Sequence, residues 1–436
     1  MNRPRPHLLA GRPDLPDPLL RRVRDDFARF ARSGLPRDVE GYLRAAYGLD
    51  VTGSYAGVPL KNPWGKASGQ LSMRRSQVEE ACEAGLGFVV LKTVIAQDAE
   101  GGRAMAAWAI KEARMVAGRI VGRDSGAEGW TVSWKGRGWW QTFDEYLDLV
   151  RAASTLGRDR GMLVVPSVKY HLPTPDEDAW RVEEYTTTTR ALLDAYARPA
   201  GVSFLPLEKD FSPTLAGSDR ARQRLKTLEW LRETPPLIRG AAPAGAVKVG
   251  LKLFNSLDDD AFQLELLAAV HDPGPSRPDF LVYANRLFDP DRVFEGHRGI
   301  AYGGPDLSDR NLRLLSALRA GQAAGTIRRA GPEISATGDI GSGRMAVEYA
   351  LRGAASFQLH TFFQLPPDAY AMTTGTKLQR ALHMLYFHPD EGLVTWMLHA
   401  ARRLGLGDRD PIRLLDLAAR GAASGLAVGD LDPQLP

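Results

Sequence analysis

The chain has 436 residues, 44% of them hydrophobic and 25% charged, a composition that fits a globular protein with a large core and excludes a disordered one. Its 56 basic and 52 acidic residues are interspersed, and the net charge of +4 suits a small anionic ligand while arguing against nucleic acid as a partner. A single cysteine, Cys82, excludes an intrachain disulfide framework, and no apolar run reaches membrane-spanning length, so no membrane partner is expected.

Residues 1–16 are rich in Pro and Arg, lack the apolar stretch of a signal peptide, and read as an irregular segment of a cytoplasmic protein. The spacing of Leu20, Val23, Phe27 and Phe30 predicts a helix over 17–33 that covers the main domain, with a membrane-surface helix as the alternative because its other face is Arg-rich. From residue 51 onward, short apolar runs alternate with helical stretches. The candidate strands are 66–69 (KASG), 87–93 (GFVVLKT), 162–168 (MLVVPSV), 201–207 (GVSFLPL), 247–254 (VKVGLKLF), 279–285 (DFLVYAN), 333–338 (EISATG) and 355–361 (ASFQLHT). Most are near-continuous apolar runs, as expected of strands buried on both faces. Cys82, in the helical EEACEAG, reads as a buried structural thiol.

The insertion at 101–142 carries Trp108, Trp130, Trp134, Trp139 and Trp140, which read either as a surface over a planar ligand or as packing onto the main domain or a second subunit. Beyond residue 362, KLQRALHMLYFH and GLVTWMLHAARRL read as helices and 419–436 as a frayed end. Eight strands with intervening helices predict an α/β fold, a closed (β/α)8 TIM barrel over 51–365 with helical extensions at 1–50 and 366–436. A doubly wound open sheet is the alternative.

In such a barrel, chemistry gathers at the C-terminal ends of the strands. Lys92 and Lys252 fall there, and lysines at a barrel mouth seek an anion or an electron-rich ring; a flavin qualifies, as does a pair of nearby acids. SATGDIGSGRMAVEYALRG is a strand, a turn containing Gly338, Gly341 and Gly343, and a helix, an arrangement that offers backbone N–H groups to a phosphate, or else is a plain turn. Gly303 and Gly304 are placed to touch the same group. Neither a dinucleotide fingerprint nor a Walker loop is present, and the histidines lack metal-ligand spacing.

Taken in order, GVPLKNPWGKASG, GLGFVVLKT, VGLKLFNS, DFLVYAN, YGG with ISATGDIGSG, and FQLHT resemble segments of the dihydroorotate dehydrogenase family and of the related dihydropyrimidine dehydrogenase barrel. The resemblance covers about 52–365 and implies FMN as cofactor. The implied flavin-site residues are Ala67, Ser68, Lys92, Lys252, Asn285, Gly303, Gly304, Gly338, Gly341, His360 and Thr361. The implied activity is that of an oxidoreductase acting on CH–CH groups, exchanging a hydride between flavin N5 and a small organic substrate. Where the family's fourth strand runs into Asn-x-Ser-Cys-Pro-Asn, this chain has VSFLPL, which places Leu205 at the base position with Val202 and Leu207 in place of asparagines. His360 stands where a glycine is usual. A substrate other than dihydroorotate is therefore expected, with the acid/base drawn from Lys169, Glu208 and His171, or from the neighbouring Lys209 and Asp210. A non-redox flavin- or phosphate-binding barrel and a reduced-flavin isomerase are the alternatives, and a homodimer is left open.

Overall fold

A computed structural model describes residues 5–111, 116–133, 138–211, 220–255, 259–294 and 296–432. Ten parallel segments form one curled, barrel-like sheet: β1 (Trp64–Lys66), β2 (Phe88–Val90), β3 (Val94–Ile95), β4 (Leu163–Val165), β5 (Ser167–Lys169), β6 (Leu205–Asp210), β7 (Val247–Phe254), β8 (Phe280–Asn285), β9 (Glu333–Thr337) and β10 (Ala354–Leu359). Their lateral order is β3-β5-β6-β7-β8-β9-β10-β1-β2-β4. β10 pairs with β1 through Phe357 opposite Trp64, and β6 pairs with β7 from Leu205 opposite Val247 to Asp210 opposite Lys252.

Helices follow most of the strands and cover the outside of the sheet. Phe143–Arg160 is typical: Thr142 accepts from the Glu145 N–H, Glu145 reaches back to the Thr142 N–H, and the left-handed Gly161 ends the helix. Its buried Tyr146, Val150 and Ala153 lie at three- and four-residue steps.

The inside of the sheet holds a smaller cluster of Tyr55, Phe88, Val90, Val165, Phe280 and Val282. Tyr55 comes from the antiparallel hairpin Gly53–Tyr55/Val58–Leu60, and its ring lies 4.8 Å from that of Phe88 and 4.7 Å from that of Phe280. Gly250 on β7 makes room for this packing, since a Cβ there would collide with the Phe280 ring.

The helix over 17–33 forms as expected, and its Phe27 ring stacks on His383 of the helix Lys377–Phe387 at 4.5 Å. Trp64 of β1 meets Tyr386 of that same helix, so the two extensions and the barrel-like unit share one continuous core. The ends are more ordered than their composition implies. Leu8 and Leu9 are buried, Leu9 bridges to Leu431, and residues 414–424 form a helix in place of the expected frayed end. Cys82 is half-buried against Met162, and burial raises its thiol pKa. Among the described residues, no helix is long and apolar enough to cross a membrane.

Several predicted strands shift: the one expected at 66–69 runs from Trp64 to Lys66, and the one expected at 87–93 keeps only Phe88–Val90. Pro166, which has no N–H to donate, separates β4 from β5. The strand expected at 201–207 instead runs from Leu205 to Asp210, all six residues buried. Val202 thus precedes the strand, and Leu205 begins it, at the end away from the mouth. The placement of Leu205 at a catalytic-base position is therefore corrected. The chain that leaves this strand end, 212–219, lies outside the described residues.

Candidate functional site

A cavity of about 550 Å³ opens over the C-terminal ends of the strands. Ala67, Ser68, Lys92, Lys169, Lys252, Asn285, Gly303, Gly304, Gly338, Gly341, His360 and Thr361 all line it. Strand-end position accounts for this convergence: parallel strands deliver their last inward-facing residues to one mouth.

The floor is strongly basic. Lys92, Lys169 and Lys252 are 6%, 4% and 5% exposed, and Arg286 joins them from the end of β8. Burial, reinforced by Arg286, Lys169 and Lys252, pushes the Lys92 ammonium down to about 7. Burial likewise lowers the pKa of Lys169, against the pull of Asp210. Lys169 sits 3.6 Å from Asp210 and 4.5 Å from the centre of the Trp108 ring. Asp210 is the facing anion: burial works to raise its pKa, but Lys169, Lys252 and Arg286 hold it down at about 2. Lys92 makes no side-chain hydrogen bond or salt bridge within the described residues. Beside it, burial drives the pKa of His360 down to about 3, so that ring is neutral.

Three of the five candidate acid/base residues, Glu208, His171 and Lys209, do not line the cavity. Glu208 lies below the floor with no exposure, where it meets Lys252 Nζ at 3.4 Å and accepts from Gln358 Nε2 at 2.9 Å and Tyr55 Oη at 3.2 Å. The two-residue period of β6 puts Glu208 and Asp210 on the same inner face, with Asp210 one step nearer the mouth. Glu208 is still linked to the cavity: Ser68 Oγ lies 2.9 Å from Thr93 Oγ1, which lies 3.0 Å from Ser167 Oγ, which donates to Glu208 at 3.3 Å. His171 turns away from the cavity, with Nε2 3.0 Å from Glu177. Lys209 faces outward, donating to the backbone carbonyls of Asp210 and Tyr170.

The glycine loop forms the opposite end. Gly338 has a φ of 111°, a conformation that disfavours side chains, and a Cβ there would press on Asn311 Nδ2 at 2.6 Å. Ser342 caps the helix Gly343–Ala350 by accepting from the Met345 N–H, and the Arg344 N–H donates to the Glu391 carbonyl at 2.8 Å, so it is the loop before the helix that faces the cavity. Asp339 donates no charge reliably at neutral pH, because burial pushes its carboxyl up to about 7 while Ser308 donates to it at 3.0 Å.

The tryptophan insertion divides in two. Val116–Val121 and Glu128–Ser133 form a hairpin whose Arg119 and Trp130 line the cavity, the guanidinium 4.1 Å above the indole. Thr131 accepts from the Gly303 N–H at 2.8 Å, and Arg123 pairs with Asp289 of a second hairpin, Leu287–Phe294/His297–Tyr302. Trp139, by contrast, is core: it is 3% exposed, packs edge-on against Tyr146 and donates to the Thr142 carbonyl. Trp140 is partly buried beside the Lys111 ammonium, and Trp134 lies outside the described residues.

Sequence reasoning missed Arg286, Arg5, His7 and Arg344, which all line the cavity. Arg286 carried a signal, since it follows Asn285 at a strand end. Arg5 and His7 carried none. No protein-family model matches the chain, and no curated protein matches it either.

Proposed function

We propose that the chain is an FMN-dependent oxidoreductase acting on CH–CH groups of a small organic anion, in the manner of the dihydroorotate dehydrogenases it resembles, on an eight-stranded (β/α)8 barrel. The strand count rests on joining segments: β4 and β5 are separated only by Pro166, and β2 and β3 only by 91–93. Because β2 pairs with β4 while β3 pairs with β5, the joined strands close the ring that β10 and β1 complete.

The observation that carries the proposal is Lys92, a nearly buried lysine facing a cavity with no anion bonded to it among the described residues. An ammonium buried without a partner is costly. With Lys169, Lys252 and Arg286 beside it and Asp210 as the facing carboxylate, the floor has positive charge to spare for a ligand. The cavity volume falls in the range of pockets for cofactor-sized molecules, about 300–1,000 Å³. The residues fit an FMN: Lys92 and Lys252 would hold the electron-rich edge of the ring, and the glycine loop would hold the phosphate. When bound, the flavin supplies hydride exchange with a substrate carbon. Lys169, with its pKa lowered by burial, is the group placed to move a proton to or from the substrate, and Asp210 fixes its ammonium. Arg286 and Lys92 orient an anionic substrate, while Trp130 and its hairpin exclude water from one side of the cavity.

The test is spectroscopic. The purified protein, or the protein incubated with FMN, should show flavin absorbance that bleaches under reductant, and a panel of small unsaturated and saturated carboxylates, dihydroorotate included, should contain one that changes the flavin's redox state. A colourless chain that ignores added FMN overturns the proposal.

A further inference from the structure

We infer that the segment Arg5–Ala10 is a strap that makes the cavity selective for a phosphomonoester, with Arg5, His7 and the helix residue Arg344 as ligands of that phosphate. The inference rests on the flavin reading above and adds to it which of the flavins the protein selects, and by which residues.

The strap is held on both sides. The Leu8 and Leu9 N–H groups donate to the two carboxylate oxygens of Glu348 at 2.9 and 2.8 Å, and Arg352 donates to the Pro6 carbonyl and to Glu348. Arg344 donates to the Ala10 carbonyl at 3.0 Å. On the other side, the Gly429 N–H donates to the His7 carbonyl and the Leu431 N–H to the Leu8 carbonyl. A Pro- and Arg-rich segment with no regular structure of its own is thereby fixed at the glycine-loop end of the cavity.

Two buried donors point to what this end takes. His7 Nε2 and Arg344 Nε are each buried with no hydrogen-bond partner among the described residues, and both residues line the cavity. A buried donor without an acceptor is destabilising, and two at one place mark the position of a ligand's acceptor atoms. Arg5 reaches the same place: it donates to Asp309 at 2.7 Å and to Ser308 at 3.1 Å, and Ser308 in turn donates to Asp339, which begins the loop Asp339–Gly343. Each guanidinium keeps N–H groups beyond its own carboxylate, which is Asp309 for Arg5 at 2.7 Å and Glu391 for Arg344 at 3.6 Å. Glu348 is bonded to Arg352 and to two backbone N–H groups, and Asp339 has its carboxyl raised to about 7 by burial. Burial keeps His7 at about 4, so at neutral pH it is an uncharged imidazole whose Nε2 donates in one of its two tautomers. A phosphate there is met by guanidinium, imidazole and backbone donors together, a set matched to several acceptor oxygens.

Riboflavin, which is FMN without the phosphate, separates this inference from the one beneath it. The full chain, freed of bound flavin, is titrated with FMN and with riboflavin, followed by quenching of flavin fluorescence, for the wild type, Arg5→Ala, His7→Ala and His7→Gln. Expected is a loss of FMN affinity of about ten- to a hundred-fold in Arg5→Ala and His7→Ala with riboflavin affinity unchanged, and partial recovery in His7→Gln, whose amide can still donate. Unchanged riboflavin binding also reports that each variant is folded. If FMN affinity holds in the variants, or if both flavins weaken equally, the strap is a structural tie and the inference is overturned while the flavin reading stands. If the wild type binds neither flavin, the flavin reading fails, and this inference with it.

Discussion

Replacing Lys92 with methionine should stabilise the flavin-free protein and weaken its hold on FMN. The pKa of the Lys92 ammonium falls from an ordinary 10.5 to about 7 because burial and three neighbouring cations oppose its charge. A depressed lysine pKa destabilises the folded state wherever the unfolded chain would be protonated. The cost is complete below about pH 7 and fades as pH rises toward 10.5. With about 1.4 kcal/mol per unit, the cost is about 4 kcal/mol at pH 7 and about 1 kcal/mol at pH 10. Methionine fills similar space without a charge, so Lys92→Met should recover most of that difference. Urea denaturation of the flavin-free wild type and variant at both pH values measures it. A variant no more stable than the wild type at pH 7, or a gain that does not shrink toward pH 10, would refute the reasoning.

Trp139→Ala should lower stability by about 3–5 kcal/mol and leave FMN affinity intact, because the ring is core; Trp130→Ala should do the reverse, weakening substrate affinity with little loss of stability, and equal behaviour of the two variants in melting and binding assays would contradict the division of the insertion. Glu348→Ala should cost about 3–5 kcal/mol by leaving Arg352 buried without its anion, and should make the amides of Leu8 and Leu9 exchange faster with solvent. A loss below about 1 kcal/mol with protected amides would show that the strap is held by other contacts.

Much of the frame was legible in the sequence, for a plain reason. VKVGLKLF alternates Val, Leu and Phe with Lys248, Gly250 and Lys252, and 247–254 is a strand with those same bounds. The fourth strand was misplaced because its last three residues, Glu208, Lys209 and Asp210, are charged, and hydropathy ends a strand where charge begins. Glu208 and Asp210 are buried by pairing with groups 41 to 153 positions away, and Lys209 by donating to the carbonyls of Asp210 and Tyr170. The same displacement explains the acid/base candidates: Glu208 was picked as a strand-end residue, whereas the strand runs two residues further and delivers Asp210 to the cavity. Lys92, Lys252 and the glycine loops converge because strand ends are a property of order along the chain. Arg5 and His7 could not be read, since the strap that carries them has no periodicity and is held by backbone bonds to a carboxylate more than 300 residues away.

Glu208 also bears on how the chain reaches its fold. Its carboxylate takes partners from β7, from β10, from the opening hairpin and, through Ser167, from β5, separated from it by 44, 150, 153 and 41 residues. An intermediate containing only the central strands would hold Glu208 and Lys252 but leave the carboxylate short of the Gln358 and Tyr55 donors while already shut away from water. Such a species is penalised. Assembly should therefore be cooperative, with few long-lived partial barrels, and slow, because the decisive contacts wait for the closure of very long loops. The charge inside the barrel-like sheet acts as a checkpoint on its assembly.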